Sequence, residues 1–259
     1  MQNEPAFSPP DYAGMLLSAQ QEADLVIATG TRFNQVGLKT KLLVHDHNWD
    51  IAQRALDILA NTTALPFING VAFHCYAGDP SAQSTVQQVY PSKDIYFTEC
   101  SGVFSAGSFA SNLLWNTNNL VIGGITNWAR TVLLWNLALD EKGRPNDGGC
   151  QDCRGVVTID SVTSQITKNE EYYTLAHYGR IVTRGAYRIF STPSYQNVMS
   201  VAFLNPDQTR GLILSNNGTQ PVTVTVQEGQ RLFTYTLPAE SVASFSWIQP
   251  KATQEVFLE

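Results

Sequence analysis

The sequence predicts an α/β fold of the (β/α)-barrel kind followed by an antiparallel β domain, and three observations lead to this prediction. Across residues 1–184, near-continuous apolar runs alternate with segments of helical periodicity, as in parallel strands that helices cover on both faces. Polar and aromatic residues stand where each apolar run ends. From about residue 185 onward, short alternating runs are separated by turn sequences. We therefore predict a partial barrel domain over residues 1–184 and a C-terminal β-sandwich domain over residues 185–259.

The first part alternates helix and strand in a regular order. Its helical segments carry apolar residues three and four positions apart, and its strands are apolar runs that close in polar or turn residues. The predicted order is helix 13–33, strand 39–50, helix 50–67, strand 68–80, helix 80–91, strand 93–102, helix 109–129 and strand 130–143, with helix 169–183 leading into the second part. Strands joined through helices run parallel, so their carboxyl ends meet at one side of the sheet.

The second part shows the pattern of antiparallel strands. β-branched and aromatic residues alternate with polar ones, and Asn-Pro-Asp, Asn-Asn-Gly and Glu-Gly sequences mark the turns. The predicted strands lie within residues 186–194, 198–209, 210–220, 222–238 and 241–249, the fourth segment containing a hairpin. Short strands with frequent turn signals favour a β-sandwich.

Composition and charge narrow the class of partner. The chain has 259 residues, 43% of them hydrophobic and 15% charged, which suits a folded protein with a sizeable core. A net charge of −6 without any run of Lys or Arg argues against nucleic-acid binding. No apolar stretch approaches the roughly 20 residues of a membrane span. Residues 1–14 show no signal peptide pattern, having neither a basic nor an apolar segment.

Four successive strands end in residues suited to binding or catalysis. They are His45, Asp46, His47 and Asn48 on the first strand, His74 and Tyr76 on the second, Glu99 on the third, and Trp135 and Asn136 on the fourth. Active sites of (β/α) barrels are assembled at this end of the strands. Each residue also has a plainer interpretation: Glu99 as a hydrogen-bonded strand end, His74 as a core histidine, Trp135 as packing. Neighbouring strand residues face opposite ways, so we predict no metal site at His45–His47.

A second carboxylate stands near the start of the chain, in the sequence Gln2-Asn3-Glu4-Pro5. Pro5 breaks a strand and fixes the exit of the chain. Asn3 is then placed to hydrogen-bond the sugar hydroxyl next to a reacting carbon. Retaining glycosidases need two carboxyl groups about 5–5.5 Å apart, one as nucleophile and one as acid and base. Glu4 and Glu99 are the candidate pair.

At this point the sequence resembles glycoside hydrolase family 30, which includes glucosylceramidases and endo-β-1,6-glucanases. The resemblance is carried by QNEPAFSPPDYAGM, HDHNWD, VAFHCYAGDPSAQS, YFTECSG, LLWNLALDEKGRPN, GGCQDCRGVVTID and EEYYTLAHYGRIVTRGAYRI. It implies Glu4 as acid/base, Glu99 as nucleophile, Asn3 as the 2-hydroxyl contact, His74 and Tyr76 as neighbours of the nucleophile, Trp135 as the wall of the glucose subsite, and Asp46 and Asn146 near the pocket rim. The HDHNWD and GGCQDCRG segments look closer to the microbial β-1,6-glucanase-like branch than to the lysosomal lipid hydrolase.

The resemblance implies a retaining β-glycoside hydrolase that acts on a β-glucoside or β-glucan without a cofactor or metal. The family has a complete eight-stranded barrel, and this chain matches only its last four strands and the following β domain. We therefore expect a half barrel with open edges. The chain is then a fragment of a longer, exported protein, or one half of a homodimer that closes a barrel, or a half barrel that persists without activity. The alternative function is a truncated, non-catalytic carbohydrate-binding or assembly module.

The four cysteines are expected to fall into two classes. Cys75 and Cys100 each end a strand-like run, and we predict buried thiols rather than a bonded pair. Cys150 and Cys153 form a C-x-x-C pair in a glycine-rich loop, without a second pair or a nearby histidine to complete a zinc site. A small local disulfide, which would hint at export, is favoured over a redox role.

Overall fold

The computed structural model describes residues 1–248. The chain divides into two compact units between Thr174 and Leu175. This division falls inside helix α6 (Glu170–Gly179), ahead of the predicted boundary after residue 184, which stays a prediction. In the described part of the chain, no helix is long and apolar enough to cross a membrane.

Four parallel strands form the sheet that organises the first unit, in the order β1-β2-β3-β5. The strands of this unit are β1 (Leu42–Asn48), β2 (Ile68–His74), β3 (Asp94–Glu99), β4 (Gly102–Val103), β5 (Ala129–Val132), β6 (Ala138–Leu139), β7 (Cys153–Arg154), β8 (Val157–Ile159) and β9 (Ile166–Lys168). Strands β4 and β7 form a small antiparallel pair, and β6, β8 and β9 form a separate three-stranded sheet. The parallel sheet and its connecting helices confirm the predicted partial barrel.

The helices of this unit follow the predicted order. They are α1 (Ala19–Val36), a 3-10 helix (Trp49–Ile51), α2 (Ala52–Leu59), a 3-10 helix (Leu65–Phe67), α3 (Ala82–Val89), α4 (Phe109–Asn116), a π-helix (Thr117–Gly123), α5 (Gly124–Thr126) and α6. Helix α1 begins later than predicted because Ser18 and Gln21 form a capping box: each side chain accepts the main-chain N–H of the other, at 3.2 and 2.9 Å.

The core lies between the parallel sheet and the helices that cover it. Strand residues Val44, Val71, Phe73, Ile95 and Phe97 are at most 1% exposed. In β3 the buried residues alternate with partly exposed ones, so this strand is fully buried on one face only, and the predicted burial on both faces was wrong for it. The Trp49 ring stacks on Phe97 with ring centroids 5.5 Å apart, and its indole N–H donates to Gln83 Oε1 at 2.9 Å. This packing holds the end of β1 against β3.

The predicted fourth strand, 130–143, was wrong over its middle. Its apolar run is split between β5 and β6, and residues 133–137 form no strand. Leu133 and Leu137 are exposed rather than buried. Here the chain turns away from the sheet, and Trp135 N donates to Cys100 O at 3.0 Å. The run is apolar, but its middle faces away from the core, which periodicity alone does not reveal.

A β-bulge interrupts β1 just before the strand ends. The pairing with β2 shifts between His45 and His47, and His45 and Asp46 adopt positive φ angles of 76° and 42°. The His45 N–H donates to Glu22 Oε1 on α1 at 3.0 Å. Glu22 is fully buried and forms an ion pair with Arg54 of α2. The bulge is therefore held from the helical layer behind the sheet.

The second unit is an antiparallel β structure, as predicted. Its strands are β10 (Tyr187–Ile189), β11 (Ser194–Tyr195), β12 (Val198–Leu204), β13 (Thr209–Asn216), β14 (Val222–Glu228), β15 (Arg231–Leu237) and β16 (Ser241–Ile248). One sheet has the order β10-β12-β13-β16 with β11 beside β12, and β14 and β15 form a hairpin. A buried cluster that includes Val198, Leu212 and Leu237 lies at its centre. Gln249, the predicted end of the last strand, lies outside the described residues.

A buried ion cluster lies beside the loop that follows β3. Arg154 pairs with Glu170 at 2.6 Å and Glu171 at 3.0 Å, and all three side chains are at most 10% exposed. A Cβ added at Gly102 would lie 2.1 Å from Glu171 Oε1 and 3.0 Å from Arg154 Nε. Because the carboxylate is held by Arg154, it cannot turn aside without breaking a buried ion pair.

Gly102→Ala is therefore expected to lower the free energy of unfolding by about 1–3 kcal/mol, the usual cost of overpacking. The measurement is the urea midpoint. Gly179→Ala is the matched control, because a Cβ at this helical position meets nothing within 4 Å and alanine favours a helix. Equal midpoints for the Gly102 variant and the unmodified chain would contradict this account of the ion cluster.

Candidate active site

The candidate site lies at the carboxyl ends of β1, β2 and β3, where the residues before Pro5 join them. The N-terminal segment runs beside β1: Met1 N donates to Leu43 O at 2.8 Å, and Glu4 N donates to Asp46 O at 3.0 Å. Glu4 has a positive φ of 46°, as do the bulged residues that it contacts. Left-handed backbone is uncommon outside glycine and concentrates at functional sites. The two main-chain hydrogen bonds to β1 hold Glu4 next to the ends of the predicted strands.

His74 forms the centre of the site. It is 1% exposed, and its two ring nitrogens lie 3.1 Å from Glu4 Oε1 and 3.0 Å from Asp46 Oδ1. Burial acts to lower the pKa of His74, but hydrogen bonds to Asp46 and Glu4 and the charges of Asp46 and Glu99 raise it to about 9. At neutral pH the ring is therefore an imidazolium, with Nδ1 donating to Glu4 Oε1 and Nε2 donating to Asp46 Oδ1.

Asp46 is the partner that keeps His74 charged. Its Oδ1 also accepts from Thr98 Oγ1 at 2.8 Å. Burial acts to raise the pKa of Asp46, but the hydrogen bonds from His74 and Thr98 and the charge of His74 outweigh it and lower the pKa. The prediction placed Asp46 near the rim of the pocket. The structure places its side chain against His74 and on the wall of a cavity that also reaches Glu99, and the rim position stays a prediction.

Glu99 lies next to His74 and Tyr76. Tyr76 Oη donates to Glu99 Oε1 at 2.9 Å, and His74 Nδ1 lies 3.9 Å from the same oxygen. Burial raises the pKa of Glu99, and the charges of Glu4 and Asp46 act in the same direction. The His74 charge and the Tyr76 hydrogen bond oppose this rise. The two neighbours therefore favour the ionised carboxylate that burial disfavours.

The two candidate carboxyl groups lie close together. One oxygen of Glu4, one oxygen of Glu99 and one His74 nitrogen lie within 4.8 Å of one another. This spacing is near that of the carboxyl pair of retaining glycosidases. Three such ligand atoms would also span a metal ion. Both His74 nitrogens are engaged at hydrogen-bond distance by carboxylate oxygens, Nδ1 by Glu4 and Nε2 by Asp46.

An open cavity of about 540 Å³ extends from this pair. Five predicted residues line it: Asn3, Glu4, Tyr76, Glu99 and Trp135. Trp135 is 41% exposed, and its main chain is fixed to Cys100 by the hydrogen bond described above. An exposed indole at a cavity wall suits the apolar face of a sugar ring. His74 and Asp46 line a neighbouring cavity of about 340 Å³, which also reaches Asn3 and Glu99.

Asn146 is not brought to this cavity. Its amide donates to Gly143 O at 2.8 Å, and its oxygen accepts from Gln151 at 3.4 Å. It lines a different cavity beside β6. His45 is also separate from the site: its ring is fully buried, its Nε2 lies 3.2 Å from Asn48 O, and burial lowers its pKa to about 3. His45 is thus a neutral core histidine.

The cavity has further lining residues that sequence reasoning did not select. They are Phe7, Tyr12, Ser101, Val103, Gly148 and Gly149, and the cavity is also lined by His47 and Asn48. The pKa of Tyr12 is raised by burial and by the charges of Glu4, Glu99 and Asp11, so its hydroxyl stays protonated. Gly149 N donates to Asp11 Oδ2 at 3.0 Å, which ties two loops together. Contacts between loops leave no periodic pattern in the sequence, so sequence analysis could not find these residues. His47 and Asn48, in contrast, were found because they stand at the end of a strand.

Both cysteine pairs are bonded. Cys75 and Cys100 form a disulfide, so the prediction of buried free thiols there was wrong, although both residues are buried. The register of β2 and β3 brings the two residues side by side, and this lateral relation is absent from either segment alone. Cys150 and Cys153 form the second disulfide, which lines the cavity.

Asp46→Asn tests the electrostatic role of Asp46. Folding raises the pKa of His74, so this charge stabilises the fold fully below its usual value of about 6.5, and the contribution is lost as pH rises through about 9. The variant is expected to lose less free energy of unfolding between pH 6.5 and 9 than the unmodified chain does. Urea denaturation across this range measures it. Asp57→Asn, an exposed carboxylate on α2, is the control, and parallel curves for the Asp46 variant and the unmodified chain would refute the role.

Family models and similar proteins of known sequence point to the same family. The glycosyl hydrolase family 30 TIM-barrel domain matches residues 15–182, and the beta sandwich domain of the same family matches residues 185–245. The endo-1,6-beta-D-glucanase neg1 of Aspergillus fumigatus is 31% identical over 264 residues, covering 97% of this chain and 51% of the relative. The lysosomal acid glucosylceramidase of Mus musculus is 21% identical, covering 80% of this chain and 42% of the relative.

Solved structures agree with these relatives. The endo-beta1,6-glucanase BT3312 superposes with a TM-score of 0.90 at 32% identity, covering 96% of this chain and 58% of that one. SrfJ from Salmonella typhimurium superposes with a TM-score of 0.89 at 29% identity, covering 96% and 56%. The chain spans little more than half the length of these proteins. Both domain matches, in this order along the chain, show that it belongs to glycosyl hydrolase family 30.

Proposed function

We propose that the chain provides the catalytic carboxyl pair of a retaining β-glycoside hydrolase. One observation carries the proposal: oxygens of Glu4 and Glu99 lie within 4.8 Å of each other, at the end of a parallel sheet and beside an open cavity. At this separation a carboxylate reaches the anomeric carbon directly, whereas inverting enzymes keep about 6.5–9.5 Å between the two groups to admit a water.

In the first step, Glu99 attacks the anomeric carbon as the glycosidic bond breaks. Glu4 gives its proton to the departing oxygen, and a covalent glycosyl ester forms on Glu99. In the second step, Glu4 takes a proton from water, the oxygen of that water attacks the anomeric carbon, and Glu99 leaves as a carboxylate. Two inversions give net retention of configuration.

The surrounding residues have supporting roles in this proposal. Tyr76 donates to Glu99 and orients the carboxylate for attack. The His74 imidazolium, fixed by Asp46, holds Glu4 in place through Nδ1. The family resemblance makes Asn3 the contact for the 2-hydroxyl group, and Trp135 supplies an apolar plate for the sugar ring.

Covalent labelling tests which of the two glutamates is the nucleophile and which is the acid/base, because the pKa shifts alone do not assign these roles. Burial raises the pKa of Glu99, which by itself favours a protonated group, whereas the family resemblance makes Glu99 the nucleophile. An activated 2-fluoro-glucoside is expected to label Glu99 covalently, as peptide mapping would show. A label on Glu4 would reverse the roles, and a label elsewhere would reject the proposed pair.

The proposed substrate is a β-1,6-linked glucan. It is supported by relatives named as endo-1,6-β-glucanases, which are 31% and 32% identical and cover nearly all of this chain. Turnover of β-1,6-glucan compared with glucosylceramide separates this proposal from a glucosylceramidase. The anomeric configuration of the first product, observed by NMR, tests retention.

The four-stranded sheet raises the question of how the site is completed. We propose that two copies pair to close one barrel when the chain acts alone. Activity per chain should then rise with protein concentration in step with the dimer mass. Binding of β-glucan without turnover at any concentration would support the alternative, a non-catalytic carbohydrate-binding module. Two disulfides in one chain further support an exported protein.

A further inference from the structure

The Cys75–Cys100 disulfide lies directly beside the residues of the candidate site. Cys75 stands between His74 and Tyr76, and Cys100 follows Glu99. Strands β2 and β3 pair in parallel, and their last paired residues are His74 and Glu99. The disulfide joins the two residues that directly follow these strands, with Cα atoms 5.4 Å apart. It therefore links β2 and β3 covalently, one residue beyond their last paired residues.

The disulfide is buried behind the site and not in the cavity. Cys75 is 8% exposed and Cys100 is 3% exposed, and neither lines the cavity of the carboxyl pair. The chain bends directly after β2, and in this bend Cys75 is buried whereas Tyr76 is exposed and lines the cavity. The bond therefore constrains the backbone that carries the site residues without touching a ligand.

The ladder is weak at the place where the disulfide stands. The β2–β3 register shifts between Phe73 and His74, so regular pairing is interrupted immediately before the site. Beyond β3, the chain leaves the sheet for the β4–β7 pair. Main-chain hydrogen bonds alone thus give little hold on the relative positions of Tyr76 and Glu99.

Two site contacts depend on this backbone. The Tyr76 hydroxyl spans from β2 to Glu99 on β3 with a single hydrogen bond of 2.9 Å. Cys100 O accepts from Trp135 N at 3.0 Å, which connects the disulfide-bonded residue to the tryptophan of the cavity wall. A shift of β3 relative to β2 would alter both contacts together.

We propose that the Cys75–Cys100 disulfide is a positioning element of the carboxyl pair: it fixes the ends of β2 and β3 so that Tyr76 stays hydrogen-bonded to Glu99. This inference rests on the proposed hydrolase function. A misplacement of about 1 Å at a reacting group costs on the order of a hundredfold in rate, so a covalent link at this point has a large effect on catalysis.

The test is a double-mutant cycle between the disulfide and the hydrogen bond. The variants are Cys75→Ala with Cys100→Ala, Tyr76→Phe, and all three changes together. Removing the disulfide is expected to lower kcat by about tenfold or more, with a smaller change in KM. In the Tyr76→Phe background the same removal should have little further effect. Equal losses in the two backgrounds, or an unchanged kcat, would overturn the proposal.

The pH profile gives a readout that a purely structural role would not move. Glu99 faces His74, Tyr76, Glu4, Asp46 and Tyr12. Of these groups, Tyr76 and His74 favour the ionised form, and loss of the Tyr76 hydrogen bond therefore raises the Glu99 pKa. The acidic limb of kcat/KM should move to higher pH in the disulfide variant, and an unmoved limb counts against the proposal.

Graded reduction of the unmodified chain covers the case in which the disulfide variant does not fold. Each cysteine is alkylated and quantified by mass spectrometry while melting is followed in parallel. Activity should fall with modification of Cys75 and Cys100, before the fold melts. A fall that instead follows Cys150 and Cys153 would reject the assignment.

A measurement without turnover separates this inference from the proposed function. If the unmodified chain neither hydrolyses glucosides nor takes the fluoro-sugar label, the hydrolase proposal fails. The Glu99 pKa, measured by carbon NMR in the oxidised and reduced chain, still reports the hydrogen bond. A rise on reduction supports the positioning role, and an unchanged value refutes it.

Discussion

Glu99→Gln is expected to reduce turnover of an aryl β-glucoside by on the order of 10⁴-fold or more, because it removes the proposed nucleophile. Glutamine has almost the same shape and still accepts the Tyr76 hydrogen bond, so the fold should be retained. Steady-state kinetics measures the loss, and denaturation checks the fold. The fluoro-sugar label should disappear with the activity.

Glu240→Gln is the matched control for this variant, because Glu240 is an exposed glutamate of the second unit. It should leave activity unchanged. Added azide gives a second check in Glu99→Ala, which leaves room for the anion where the carboxylate stood. With no carboxylate to attack, azide should restore turnover and yield the product of inverted configuration. A Glu99 variant that retains near-normal turnover would remove Glu99 from the mechanism.

Glu4→Ala is expected to lower kcat by about 10²–10⁴-fold for substrates with poor leaving groups, the range for loss of a general acid and base. A glucoside whose leaving group needs no proton should suffer far less in its first step, so the glycosyl ester on Glu99 should accumulate. The measurement is kcat across aryl glucosides of graded leaving-group pKa.

Azide also distinguishes the role of Glu4 from that of Glu99. In the Glu4 variant, the ester on Glu99 should react with azide and give the product of retained configuration, the opposite of the Glu99 variant. Equal losses for good and poor leaving groups would contradict the acid role. Glu4→Gln repeats the test with less change in volume next to His74, whose ring lies 3.1 Å from the Glu4 carboxylate.

The sequence predicted the parts of the site that follow from strand ends. Glu99, His74 and Tyr76 lie together because β2 and β3 are adjacent and parallel, which alternating helices and strands already imply. Glu4 was placed by the motif around Pro5, and the structure brings it to His74. Predicting that these residues lie together required only the order of the elements and the direction of the strands.

The remaining features depend on local backbone geometry and on contacts between distant segments. The bulge at His45–His47 turns Asp46 toward His74, and no periodic pattern reveals a residue that leaves its strand register. Tyr12 reaches the cavity through a loop that packs on Gly148 and Gly149. The Cys75–Cys100 bond needs the lateral register of two strands, which must be known to within one residue.

The link between Glu22 and the bulge connects the helical layer to the candidate site. At the bulge the His45 N–H donates to a carboxylate of the helical layer. If Glu22 changes to an apolar residue, a buried N–H is orphaned and Arg54 loses its charge partner. The charge of His74 thus depends in part on the helical layer, because that layer holds the bulge from which Asp46 contacts His74.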